Sequence, residues 1–177
     1  MKQILETKKW LQNVVIAHNI CPFAERVFKN DGIHFEVETS TDIETCLENL
    51  IAECERLDEN ETIETTLLIY AKAFADFQEY LDFLEVAQAL LEAQDYEGVY
   101  QLASFHPNYC FDGSLENDAA NYTNRSPYPM LHLLRESSLE HALANYPNPE
   151  TIPENNIELT RKLGVEKMKA TLAACYE

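Results

Sequence analysis

The chemistry this chain has to offer is concentrated in residues 106–136, where two histidines, two arginines and several amide and hydroxyl side chains crowd together. His106 and His132 form a pair able to act as acid and base near neutral pH, with His106 as the catalytic candidate. The same pair with Asp118 would make a metal site of loose spacing. Arg125 and Arg135 carry planar, fork-shaped donors suited to a carboxylate or phosphate. Asn124 would orient such an anion, and Tyr109 and Ser126 complete the ligand-binding candidates. Each group also has a structural use. Asp118, Glu136 or a helix C-terminus would satisfy the arginines equally well. His132 sits between the apolar Met130 and Leu134, where a hydrogen-bonded core role is the ordinary one, and Asn121 suits a turn.

Cys21 is the second catalytic candidate. It precedes Pro22, a residue suited to the first helical position, and a thiol at a helix N-terminus can have a lowered pKa and act as a nucleophile or redox group. Its apolar neighbours Ile20 and Phe23 favour inert burial instead. There is no phosphate-binding glycine loop, His-Glu-x-x-His helix or Gly-x-Ser-x-Gly elbow, so the large enzyme classes built on them lose weight. The residues specify no cofactor. The five cysteines are odd in number, widely spaced and without Cys-x-x-Cys, which points to reduced thiols in the cytoplasm. The N-terminus lacks a signal-peptide core and no membrane-length apolar run occurs, so the expectation is neither export nor a membrane span. A formal charge of -18 disfavours nucleic acid and anionic lipid surfaces.

These groups depend on the elements that carry them. Helical spacing predicts a first helix over residues 7–18 with Thr7 as N-cap, and a second over 22–28 with Cys21 as N-cap. Period-two alternation predicts a strand at 33–38. A capping box, Thr41 to Glu44, opens a helix whose stripe is Cys46, Leu50, Cys54 and Leu57. The apolar run 65–71 reads as a central strand, Asp76 caps the next helix, and residues 99–105 and 130–135 read as strands three and four. Helices at 138–145 and 154–176 follow, with Gly164 a bend. Two β-α-β units and a returning strand predict a single α+β domain over 1–177. Its mixed four-stranded sheet is covered by helices and has its first three strands as parallel neighbours; a ferredoxin-like arrangement is the alternative. The stretch 106–129 exceeds the ~12–15 residues typical of a structureless loop, and Tyr109, Phe111, Tyr122 and Tyr128 should fold it back over the sheet.

Four stretches carry a likeness beyond composition: Asn19-Ile20-Cys21-Pro22-Phe23-Ala24, Gln101-Leu102-Ala103-Ser104-Phe105-His106-Pro107, Asn121-Tyr122-Thr123-Asn124-Arg125-Ser126-Pro127-Tyr128-Pro129 and Leu131-His132-Leu133-Leu134-Arg135-Glu136. With them the chain resembles, over nearly its whole length, the largely bacterial domain of unknown function 1415 family. The resemblance implies membership and assigns no reaction; Cys110 and Asp112 lie outside the matched pattern. The expectation for function is an enzyme or binding protein for a small anionic metabolite, using residues 106–136, with enzyme activity itself undecided. The alternatives are a metal-binding protein through His106, His132 and Asp118, or a protein-interaction module using the Tyr-rich loop. A homo-oligomer through Met168, Leu172 and Tyr176 is a further expectation.

Overall fold

The computed structural model describes residues 1–176. Four strands, β1 (Ile33–Glu38), β2 (Thr65–Tyr70), β3 (Tyr100–Phe105) and β4 (Met130–Arg135), form one mixed sheet in the order β1-β2-β4-β3. β1 and β2 are parallel, while β4 runs antiparallel to both β2 and β3. Helices α3 (Ile43–Glu59) and α4 (Phe77–Ala93) cover one face. The other face is covered by α1 (Lys2–Trp10), its π-helical continuation Leu11–Ile16, α2 (Ala24–Lys29), α5 (Glu136–Ala144), α6 (Ile152–Leu163) and α7 (Val165–Ala173). The result is an α+β protein of three layers, with an apolar core on each face of the sheet.

The first three strands point the same way, but β3 does not neighbour β2: β4 inserts between them. The alternation along β4 explains this. Leu131 and Leu133 join the α3/α4 core while Met130 joins the opposite one, so both faces need burial, as in an interior strand. β3 carries the exposed Gln101 and suits an edge. The order β-α-β-α-β-β with a parallel pair also sets aside the ferredoxin-like alternative, whose helices are distributed differently.

Several helix starts differ from expectation. The first helix begins at Lys2, and Thr7 is fully buried inside it, its hydroxyl directed to the Met130 sulfur at 3.9 Å. Cys21 is not an N-cap; α2 starts at Ala24 behind a turn. At α3 the cap is Asp42, which accepts from the Thr45 N–H at 2.9 Å, in place of Thr41. Asp76 caps α4 as expected, accepting from the Gln78 and Glu79 N–H groups at 2.8 and 3.0 Å. Gly164, at φ 83°, breaks the last helix into α6 and α7. Met168 of α7 is fully buried within this same chain, so of the three residues expected to drive self-association it is not free to do so. No helix among the described residues is long and apolar enough to cross a membrane.

Candidate functional site

The stretch between β3 and β4 folds back and bonds to itself. Its centre is the 3-10 turn Ala119–Thr123, buried throughout, where Asn121 accepts from the Phe111 N–H at 3.1 Å and donates to the Leu115 carbonyl at 2.8 Å. The candidates of this stretch mostly serve that folding. Arg125 donates to the Tyr109 and Glu116 carbonyls at 3.0 and 2.8 Å and lies over the Tyr122 ring. The Asn124 amide donates to the Ser104 carbonyl at 3.1 Å, and Ser126, fully buried, donates to the Tyr128 carbonyl at 2.6 Å. The Tyr109 ring lies against Phe77 and Phe111. Arg135 turns to the C-terminal end of α3, donating to the carbonyls of Leu57, Asn60 and Ile63. Of the uses open to it, the helix C-terminus is the one realised.

His106 has no exposed surface. Its Nδ1 accepts from the Asn108 N–H at 3.0 Å, so in the neutral ring Nε2 carries the proton and donates to the Phe74 carbonyl at 2.9 Å. Burial lowers its pKa from the ordinary value, against the opposing pull of that carbonyl. With both nitrogens occupied and the ring among Phe77 and Tyr80, His106 ties the turn at Phe74 to the start of the loop after β3.

The metal trio is not assembled. His106 packs on the α4 side of the sheet and His132 on the other, while Asp118 forms a two-point ion pair with Arg161 at 2.7 and 3.1 Å. That hydrogen-bonded pair holds the Asp118 carboxyl down to about 2. Among the described residues the side chains that do come within metal-sharing distance are His34, Glu36 and Glu53, all within 4.8 Å of one another. Arg56 already sits on both Glu53 oxygens, at 3.0 and 3.1 Å, so this cluster carries its own counter-charge.

His132 stands apart from the other candidates. It lies between Leu67 of β2 and Ala103 of β3, under α1, α2 and α5, at the floor of a cavity of about 260 Å³. The small side chains Ala103, Ala24 and Ala142 leave this space, and Trp10, Leu11, Val15, Phe105 and Leu134 wall it. The partly accessible surface of His132 faces the cavity, and burial pushes the imidazole down to about 4, so it is neutral at ordinary pH. Its Nε2 meets the Thr65 hydroxyl at 2.7 Å. Cys21 lies on the cavity wall too, but burial raises the thiol above its ordinary pKa despite contacts from the Phe23 and Ala24 backbone, opposite to the activation expected of an N-cap thiol. At the rim, Arg26 and Glu64 form a two-point ion pair at 2.9 and 3.2 Å.

The sequence matches the family model described as protein of unknown function (DUF1415) over residues 2–170. The chain belongs to this family. A search of curated proteins and of solved structures gave no match.

For this DUF1415 member, Thr65, Arg26, Glu64 and Ser138 line the cavity without having been singled out from sequence. Thr65 had one legible signal, a pair of threonines, Thr65 and Thr66, opening a central strand that continues Leu-Leu-Ile; the others depend on which elements meet. Arg135 yields a test of its structural role. Arg135→Met keeps the cavity wall but removes the donors from the α3 end, and urea denaturation should show a loss of about 2 kcal/mol. An unchanged midpoint would mean that the α3 carbonyls do not need this arginine.

Proposed function

We propose that this protein binds a small, uncharged and mainly apolar molecule in the cavity above His132, as a carrier or as an enzyme acting on it. The observation that carries this reading is the wall: a space of about 260 Å³ lined by aliphatic and aromatic side chains, with a neutral imidazole at its floor. That volume lies just below the usual ~300–1,000 Å³ of ligand pockets, so the ligand is small. Residues 106–136 contribute Thr123, His132, Leu134 and Arg135 to its lining. The ligand's charge is read differently, because the guanidinium groups nearest the space are engaged: Arg135 by carbonyls and Arg26 by Glu64. No wall of α5 is fully buried, which makes that helix the natural way in.

The chain's single tryptophan, Trp10, lines the cavity and reports on its contents. Titration with small monoterpenes and alkylbenzenes should change Trp10 emission saturably, while their carboxylate counterparts should not. Ala103→Leu, which grows a side chain into the space beside His132, should abolish the response. Binding of the carboxylates alone, or a response indifferent to Ala103→Leu, would remove this reading.

A further inference from the structure

The hydrogen-bond arrangement under the cavity fixes which kind of polar group a ligand can bring there. A threonine hydroxyl has one proton to give. Thr65 Oγ1 lies in close contact with the Leu133 carbonyl oxygen, which can only accept, so the proton points there. The same hydroxyl oxygen is 2.7 Å from His132 Nε2, and with its proton committed it can only accept in that bond. Nε2 must therefore carry the imidazole hydrogen. In a neutral ring the other nitrogen, Nδ1, is then a bare lone pair. The opposite assignment would leave the Thr65 hydroxyl oxygen and the Leu133 carbonyl oxygen facing each other with no proton between them.

Nδ1 makes no hydrogen bond to any described residue, nor is it among the side-chain atoms sealed away without a partner. Its free side belongs to a residue that faces the cavity. Thr123, the neighbouring hydroxyl on the wall, has already directed its proton within its own turn, to the Ala120 carbonyl or the Asn124 side chain. At the floor of the cavity the unmet demand is thus for a donor.

Resting on the pocket reading above, we infer that the ligand carries a hydroxyl or N–H group on an apolar frame, and that His132 Nδ1 accepts its hydrogen. Alcohols, phenols and amides fit. Ethers, ketones and esters of the same frame present acceptor to acceptor and are turned away.

Nitrogen-15 NMR of the labelled protein without ligand should show His132 protonated on Nε2 and bare on Nδ1; the reverse tautomer overturns the inference at once. Calorimetric titration with borneol, borneol methyl ether and camphor then tests the ligand. Borneol should bind at least about tenfold more tightly than the ether or the ketone, the size of one good buried hydrogen bond. His132→Phe should bring the three to within about twofold of one another while still binding them, since Thr65 keeps its bond to Leu133. Equal binding of all three by the unaltered protein would overturn the donor requirement and leave the apolar pocket standing. Failure of all three to bind would take the pocket reading down as well.

Discussion

Replacing His106 by alanine is expected to lower the melting temperature by roughly 8–16 °C, because a fully buried ring with both nitrogens occupied leaves two separate backbone groups unpaired when it is removed. The Phe74 carbonyl loses its donor and the Asn108 N–H loses its acceptor. A void opens between Phe77 and Tyr80 as well. Together these come to about 4 kcal/mol. The Phe74 backbone sits at φ 59°, a left-handed conformation that a phenylalanine adopts only when its surroundings hold it there, and His106 is one of the holds. Circular dichroism melts of the two proteins provide the measurement. A shift under about 2 °C would show that the ring is not a tie and would return His106 to the search for chemistry.

The second large effect is one of pH. His132 titrates at an ordinary value of 6.5 when unfolded and at about 4 in the folded protein, where burial disfavours its charge. Between these two values the unfolded chain binds the extra proton, so stability is full above the upper one and is lost as pH falls toward the lower. The loss amounts to roughly 3 kcal/mol at 1.36 kcal/mol per pKa unit. His106 is depressed in the same direction and shares the sign of the effect, so the informative quantity is the difference between the protein and its His132→Phe variant. Asp118, held down to about 2, loses its stabilising charge only at more acidic pH. Chemical denaturation at pH 7.5, 5.5 and 4.5 should give the variant a markedly flatter profile. Parallel profiles would mean that the cavity is wet enough to accept a charged imidazole.

Where a feature rested on local chain chemistry, the sequence was enough to locate it. β1 and β4 occupy the expected residues, set by period-two alternation in one and a compact apolar run in the other, and Asp76 caps α4 through its own neighbours' N–H groups. Thr41 and Asp42 are adjacent and both able to cap, so spacing alone could not choose between them. The site was less legible. Arg125 and Arg135 looked like ligand donors because nothing in their sequence neighbourhood shows that carbonyls of residues 109, 116, 57, 60 and 63 come to meet them. The cavity was invisible for a related reason. It is a consequence of three alanines on three different elements facing one another, and no single segment records that. His132 was visible as a residue, while its partner Thr65 required the pairing of β2 with β4.

The position of β4 has a bearing on how the molecule comes into being. The strand that joins the two halves of the sheet is the last to be synthesised, so β1, β2 and β3 leave the ribosome before the element that links them exists. Until Met130 and its successors emerge, β2, the most thoroughly buried strand, offers an open edge and two apolar faces to whatever is nearby. The nascent chain therefore cannot settle its core domain-half by domain-half. Closure of the sheet waits for β4, with long-range pairing on both of its sides at once, and pairing between residues distant in sequence is the slow kind.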